Sequence, residues 1–347
     1  MVRLAGFVAV FALALAGTTP AWACGGLVGE NGTIQLTRTT TLAAYHDGVE
    51  RYVTSFEFSG QGKEVGSIVP LPGVPSKVER GGSWTLQRLE REVAPPPSGK
   101  AAFALRASAA EDQAEVLQQT QIDALDITIL KGGGDAVGKW AVEHGFLLTP
   151  DAPEMLDFYS HRSPIFMAAR FNAERARTLQ QNTGDGTPIM LTIPTPDPWV
   201  PLRILSLGLD KAKPVNADVF LLTDTQPKLL AGGTGLSLQR NEPASSQLLS
   251  DLRSDKGMSW VPGSMWFTYL RLDVPAGQLS YDLAVSTRKG EVPNIADTGI
   301  EATEARAITL AAPGRAVWPF VAAGSAALLT LLVFAVVARR RRRGAEA

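Results

Sequence analysis

Residues 133–139 form the segment of this chain whose spacing best fits a phosphate-binding loop. Their order, GGDAVGK, satisfies the pattern G-x-x-x-x-G-K and lies between a predicted strand and a predicted helix. Backbone N–H groups at such a helix start can hold a phosphate. However, Trp140 stands where a Ser or Thr would bind magnesium, and Asp135 would place negative charge beside the phosphates. We therefore interpret the segment as the start of a structural helix, with Asp135 as its N-cap.

Cys24 is the one cysteine of the chain, and it is followed by two glycines. Cleavage after Ala23 would make it the N-terminal residue, where the α-amine could act as a base for the thiol. Such a nucleophile also needs an oxyanion hole and a pocket, which the sequence does not reveal. A lipid-modified cysteine and an inert thiol are the alternatives. With a single cysteine, no intrachain disulfide can form.

No other catalytic or metal-binding pattern is present in the sequence. The three histidines, His46, His144 and His161, are far apart and lack a recognised ligand spacing. Asp157 and His161 are four residues apart, which suits a helix-stabilising pair. Gly-x-Ser-x-Gly is absent, and the aromatic run 258–269 is more typical of a core strand than of a carbohydrate platform. We accordingly assign no catalytic, cofactor-binding or metal-binding residue and no cofactor.

Strand patterns outnumber helix patterns along the chain. Asp47-Gly48 predicts a tight turn in a β-hairpin over 38–58. Apolar runs and alternation predict strands at 65–71, 127–130, 166–171, 189–193, 202–207, 218–222, 265–272 and 281–286. Helices are predicted after Ser83 as N-cap, from Asp135 to a left-handed cap at Gly145, at 153–161 and at 244–253. The predicted strands follow one another in groups and do not alternate regularly with helices. This order predicts an α+β fold, with a mostly antiparallel or mixed sheet and a few short helices.

Both ends of the chain predict export followed by anchoring. Residues 1–23 read as a signal peptide, with an apolar stretch too short to span a bilayer and a small-x-small cleavage site. The uncharged apolar run 317–338 would form a helix of about 33 Å, enough to cross a hydrocarbon core of about 30 Å. Five arginines follow at 339–343 and predict a cytoplasmic tail, 339–347. We expect an extracytoplasmic domain over 24–290, a flexible insertion near 94–114 and a stalk at 291–316.

The exported part is mildly acidic, although the whole chain has a formal charge of −1. Removing Arg3 and the five tail arginines from 33 basic residues leaves 27, and removing Glu346 from 34 acidic ones leaves 33, a formal charge of −6. Nucleic-acid binding needs a basic face to neutralise phosphates, so we exclude nucleic acid as a partner. Some 290 residues without disulfides are enough to bury a stable core.

Six segments, in order, resemble the bacterial family called domain of unknown function 2330. They are residues 23–26 (ACGG), 68–75 (IVPLPGVP), 115–117 (EVL), 139–146 (KWAVEHGF), 201–204 (PLRI) and 267–272 (FTYLRL). The resemblance implies an exported and often membrane-anchored protein, but it supplies no activity, substrate or catalytic residue. The chain departs from its relatives by having fewer cysteines near the N-terminus and by IDAL at 122–125, where a Gly-Pro turn is common.

These observations lead to two functional hypotheses. The first is a single-pass protein of the cell membrane that binds or scaffolds an unknown ligand or partner at the bacterial envelope. It would contact the bilayer through 317–338, with the N-terminal domain outside and the C-terminus in the cytoplasm. The alternative is an envelope hydrolase that uses Cys24 as an N-terminal nucleophile.

Overall fold

A computed structural model describes residues 27–29, 35–59, 64–94, 115–179, 187–196, 198–288, 290–299 and 304–308. The predicted signal peptide, Cys24, residues 95–114 of the predicted insertion, the span 317–338 and the arginine-rich tail lie outside these residues. The chain divides into two compact units, Met1–Thr309 and Leu310–Ala347, of which only the first contains described residues. Among the described residues, no helix is both long and apolar enough to cross a bilayer.

The described part of the chain consists mostly of strands, with a few short helices. The strands are β1 (Leu27–Gly29), β2 (Gln35–His46), β3 (Val49–Ser59), β4 (Glu64–Pro70), β5 (Lys77–Arg80), β6 (Glu115–Ile122), β7 (Leu125–Lys131), β8 (Ile165–Asn172), β9 (Ile189–Pro194), β10 (Trp199–Val200), β11 (Pro214–Thr223), β12 (Lys228–Ala231), β13 (Leu236–Pro243), β14 (Trp266–Pro275), β15 (Leu283–Ser286) and β16 (Arg306–Ala307). The helices are α1 (Thr85–Val93), α2 (Gly134–Glu143), α3 (Ala152–Ser160), α4 (Ala173–Thr178) and α5 (Ser246–Ser254), with 3-10 turns at Arg203–Ser206, Ala276–Gln278 and Ile295–Thr298.

The strands form three sheets over the described ranges. A seven-stranded sheet has the order β13-β14-β11-β2-β3-β9-β5, a five-stranded sheet the order β1-β4-β8-β7-β6, and a four-stranded sheet the order β10-β15-β12-β16. Neighbouring strands are antiparallel apart from β2 and β11, which are parallel. The prediction of a mostly antiparallel or mixed sheet with a few short helices is confirmed.

The first hairpin forms where the sequence predicts it. Asp47 (φ 51°) and Gly48 (φ 75°) both have positive φ, as a type I′ turn requires, and His46 pairs with Val49 across the turn. Asp and Gly tolerate this conformation better than other residues, since a short polar side chain or no side chain avoids the clash with the backbone. This turn fixes the register of β2 against β3 and therefore which face each side chain takes.

The central strands of the seven-stranded sheet are buried on both faces, and alternate residues of β2, β3 and β11 contribute to different cores. Leu42, Phe220 and Phe267 belong to one cluster, which also contains the buried leucines of α1 and α5. Ala43 and Tyr52, which point the other way, belong to a larger cluster shared with the five-stranded and four-stranded sheets. The burial of Phe267 confirms the core interpretation of the aromatic run 258–269.

The N-terminus of helix α1 is capped by a residue distant in the sequence and not by Ser83. The prediction of Ser83 as N-cap is therefore wrong. The helix begins at Thr85 with Trp84 as N-cap, and no side chain of its own start caps it. Instead the Asp255 carboxylate accepts hydrogen bonds from Ser83 N (3.0 Å), Trp84 N (2.9 Å) and the Thr85 hydroxyl (2.8 Å). Asp255 follows α5, and it thereby ties the two helices together while it neutralises unpaired N–H groups at the helix start.

Helix α2 has the structural role that its glycine-rich start predicts, although its N-cap is Gly133 and not Asp135. A Cβ on Gly134 would lie 2.5 Å from the backbone nitrogen of Asp157. Gly134 therefore allows α2 and α3 to approach closely, which accounts for glycine at this position without any bound phosphate. At the other end Gly145 has φ 79°, so the predicted left-handed cap is confirmed.

Two further predictions differ from the structure. Residues 202–207 are predicted as a strand but contain a 3-10 turn. The Asp282 carboxylate holds this turn, because it accepts hydrogen bonds from Leu202 N (2.6 Å) and Arg203 N (2.8 Å). Within the segment predicted as a stalk, Thr298 is fully buried and β16 pairs with β12. The folded domain thus continues past residue 290 as far as β16.

Candidate ligand-binding site

A cavity of about 270 Å³ lies beside the five-stranded sheet, near its edge strand β6. One wall comes from the sheet face formed by β6, β7 and β8, and another from the end of α2 and the residues that follow it. Its lining includes Gln119, Thr128, Trp140, His144, Phe146 and Arg170. We refer to it below as the β6–α2 cavity. Ligand sites are commonly concave, mostly apolar and furnished with a few polar groups, and this cavity has that composition.

The cavity's aromatic wall is built by the C-terminal cap of α2. The Gly145 N–H donates to the Val142 carbonyl (3.1 Å), and the Phe146 N–H donates to the Ala141 carbonyl (2.8 Å). These bonds form a Schellman motif that turns the chain back on the helix. As a result the Phe146 ring lies 5.9 Å from that of Trp140 at an interplanar angle of 48°.

Trp140 and His144 are stacked one turn apart on α2. Their ring centroids are 4.0 Å apart with an interplanar angle of 13°. His144 Nδ1 lies 2.7 Å from the Trp140 carbonyl oxygen, which can only accept, so Nδ1 carries the proton. Both side chains are 3% exposed and are therefore fixed by packing.

Gly66 gives the Phe146 ring its place against the sheet. A Cβ on Gly66 would lie 2.4 Å from two ring carbons of Phe146, closer than any real contact. Gly66 belongs to β4, where it pairs with Arg170 of β8. The Phe146 part of the cavity wall can therefore lie against the sheet only because Gly66 has no side chain.

Polar groups are placed around the apolar lining. The indole N–H of Trp140 is buried and has no hydrogen-bond partner within the described part of the chain. The Arg170 guanidinium donates to the His144 carbonyl oxygen at 2.5 Å. Asp126 is engaged by Arg175 through two nitrogens, each at 2.8 Å, so its charge is balanced within the protein. Arg170 therefore brings a positive charge to the cavity lining, whereas the Trp140 indole N–H lies within the wall.

The histidines of the sequence lie at separate places, as their spacing predicts. His144 lines the β6–α2 cavity, whereas His161 is exposed on α3 with Nδ1 3.6 Å from Asp157 Oδ1. His46 lies at the end of β2, beside Asp47 and Asp224. Sequence reasoning missed Asp224 because it is 178 residues away from His46, and only the pairing of β2 with β11 brings the two together.

A buried ionic network joins α3 to the four-stranded sheet. Asp282 is fully buried and accepts hydrogen bonds from Tyr159 Oη (2.9 Å) and from Arg162, while Arg162 also donates to the Asp297 carbonyl (2.8 Å). Tyr159 Oη in turn accepts from Ile204 N at 2.9 Å. Burial and the nearby Asp282 charge raise the pKa of Tyr159, so the phenol stays protonated. Arg162 Nε is buried without a hydrogen-bond partner among the described residues, but the other groups bind one another across the network, which indicates a structural role.

A family model described as "Uncharacterized protein conserved in bacteria (DUF2330)" matches residues 18–226. The chain belongs to this family. Three residues of the cavity wall, Trp140, His144 and Phe146, come from the segment 139–146, one of those in which the sequence resembles the DUF2330 family.

Other comparisons add little to the DUF2330 assignment. No curated protein matches the chain. The crystal structure of baculovirus P35 is similar with a TM-score of 0.42 and 10% identity, covering 74% of this chain and 98% of that one. A mutated baculovirus P35 after caspase cleavage gives a TM-score of 0.33 and 10% identity, covering 73% and 100%. Both scores are too low for either likeness to support a statement about this chain.

Proposed function

We propose that this DUF2330 member is a membrane-anchored, extracytoplasmic binding protein of the bacterial envelope, and that it takes a small ligand in the β6–α2 cavity. The observation that carries the binding proposal is the cavity of about 270 Å³ itself, in which aromatic surface from Trp140 and Phe146 lies beside the Arg170 guanidinium. A concave site that is mostly apolar and has a few polar groups is typical of a small-molecule pocket. The proposal for the anchor rests on the sequence of residues 1–23 and 317–343.

The lining favours a planar apolar ligand that carries a hydrogen-bond acceptor or an anionic group. Trp140 and Phe146 offer aromatic surfaces, against which a flat body packs by dispersion and quadrupole contacts. The Arg170 guanidinium adds a favourable field for the negative charge of a carboxylate. An aromatic carboxylate combines these features.

We test the binding proposal with 2-naphthoate and the full chain labelled with 5-fluorotryptophan. The seven tryptophans give separate fluorine resonances, and Trp140→Phe assigns the one in the cavity. We expect 2-naphthoate to shift that resonance saturably. Trp140→Phe reduces the aromatic surface of the cavity wall, so 2-naphthoate should bind roughly 2- to 12-fold more weakly, as expected for loss of an aromatic contact of about 0.5–1.5 kcal/mol.

Trp260→Phe is the matched control for this substitution. The Trp260 indole N–H also lacks a hydrogen-bond partner among the residues described, but Trp260 packs against the cluster of α1 and α5 and does not line the cavity. Its loss should leave the affinity for 2-naphthoate unchanged. Absence of saturable binding, or equal weakening by the two substitutions, would overturn the proposed ligand site.

The proposed topology has a separate test. In fractionated bacterial cells the full chain should sediment with the membrane, and protease added outside the cytoplasmic membrane should digest the domain. Deletion of residues 317–347 should release the domain into the extracytoplasmic soluble fraction. Recovery of the full chain from the cytoplasm would contradict the topology without bearing on the cavity.

A further inference from the structure

The C-terminal ends of β2 and β11 bring three metal-ligating side chains together on the surface. The two strands are parallel and Tyr45 pairs with Thr223, so His46, the last residue of β2, and Asp224, which follows β11, lie at the same end of the sheet. Asp47 joins them because the tight turn begins there. One imidazole and two carboxylates thus have ligand atoms within 4.8 Å of one another.

Asp224 fixes the orientation of the His46 ring. His46 Nδ1 lies 2.6 Å from Asp224 Oδ1, and the carboxylate can only accept, so Nδ1 carries the proton. In the neutral ring the lone pair is then on Nε2, on the far side from Asp224. A carboxylate that accepts from one ring nitrogen while the other nitrogen binds a metal is the usual arrangement around protein zinc sites.

The remaining carboxylate stands at a distance that suits a shared ion. His46 Nε2 and Asp47 Oδ2 are 3.4 Å apart. Two ligands at about 2.0–2.1 Å from a tetrahedral ion are separated by about 3.3–3.4 Å. The Asp47 side chain is 85% exposed and that of His46 is 27% exposed, so an ion can enter from solvent and keep water as its other ligands.

We propose that His46 and Asp47 bind a divalent transition-metal ion, such as Zn²⁺, through Nε2 and the carboxylate, and that Asp224 is the positioning residue for the imidazole. An imidazole with a carboxylate suits Zn²⁺ better than Mg²⁺ or Ca²⁺, which prefer oxygen ligands alone. The site is distinct from the β6–α2 cavity and does not depend on the proposed function.

The test uses the full chain in detergent with ¹⁵N-labelled histidine, titrated with Zn²⁺. The chain has only three histidines, so the imidazole nitrogens of each can be followed separately. We expect Zn²⁺ to move the Nε2 resonance of His46 saturably. Cysteine thiolates also bind Zn²⁺ and the chain contains Cys24, so the readout is the His46 resonance rather than the total zinc bound.

Conservative variants separate the two roles. Asp224→Asn should weaken zinc binding at His46 by roughly 10- to 100-fold, as expected for loss of an orienting carboxylate. Asp47→Asn removes an anionic ligand, and asparagine keeps the turn because it also tolerates positive φ, so at least an equal loss is expected. His161 is the internal control, since it is an exposed histidine beside an aspartate and, within the described ranges, forms no group with a second carboxylate.

Either of two results would overturn the zinc site. One is that Zn²⁺ leaves the His46 resonances in place or moves those of His161 equally. The other is that Asp47→Asn and Asp224→Asn bind zinc as tightly as the parent chain. In both cases the cluster would be an ion pair between an imidazole and carboxylates and nothing more.

Discussion

Glu50 is a fully buried carboxyl group, and its ionisation should control the stability of the domain. It lies in β3, between Tyr45 of β2 and Ile193 of β9, and it is 0% exposed. Neither of its oxygens has a hydrogen-bond partner within the described ranges. Burial disfavours the charged form and raises the pKa of Glu50 from 4.5 to about 8.

The sign of the effect follows from the direction of that shift. Below about pH 4.5 the Glu50 carboxyl is protonated in both the folded and the unfolded chain, so it contributes no pH dependence. Between about pH 4.5 and pH 8 only the folded chain keeps the proton, and unfolding releases it. The free energy of unfolding therefore falls as the pH rises through this window. Above about pH 8 the carboxylate is charged in both states and the loss is complete.

The magnitude is large compared with the stability of an ordinary domain. A difference of about 3.5 pKa units between the folded and unfolded states corresponds to roughly 5 kcal/mol, at about 1.4 kcal/mol per unit. Small domains are stable by only about 5–15 kcal/mol in total. Raising the pH from about 4.5 to about 8 should thus remove a substantial part of the free energy of unfolding.

Urea unfolding of the parent chain and of Glu50→Gln, repeated across this pH window, measures the effect. The buried glutamine amide adds an offset that does not depend on pH, so the test is the slope of the difference in free energy of unfolding. That difference should rise in favour of Glu50→Gln by up to about 5 kcal/mol between about pH 4.5 and pH 8, and then level off. Glu242→Gln, at an exposed position on β13, is the control for the substitution itself. A flat difference curve for Glu50→Gln would refute the reasoning.

Two further substitutions examine the packing of the cavity and the buried ionic network. Gly66→Ala should destabilise the domain by roughly 1–3 kcal/mol in urea unfolding and weaken 2-naphthoate binding, because the new Cβ displaces the Phe146 ring. Unchanged affinity for 2-naphthoate would contradict the role given to Phe146. Asp282→Asn should lower the free energy of unfolding in urea by roughly 3–5 kcal/mol, since it leaves the Arg162 guanidinium without its counter-charge and the Arg162 side chain is only 10% exposed. A loss below about 1 kcal/mol would show that the network does not stabilise the fold.

The sequence alone was sufficient to predict the structure wherever the conformation of a segment depends only on its own residues. Asp47-Gly48 specifies a tight turn through the φ angles that its two residues tolerate, and Gly145 specifies a left-handed helix cap for the same reason. Likewise, apolar runs and alternation predicted the central strands β2, β3, β9, β11 and β14 of the large sheet, because their side chains are buried against a core. They did not predict the edge strands β5 and β13, which bury few side chains. These features depend on residues that are neighbours in the chain.

The candidate sites depend on partners from distant parts of the chain, and only the tertiary structure decides them. Asp255 caps α1 from 170 residues away, where the sequence pointed to Ser83. Asp282 converts an apolar run that looked like a strand into a 3-10 turn. Asp224 meets His46 only because β2 and β11 pair in parallel. A polar side chain carries no local signal of the partner it will find, since hydrogen bonds and ion pairs are fixed by the geometry of the finished fold.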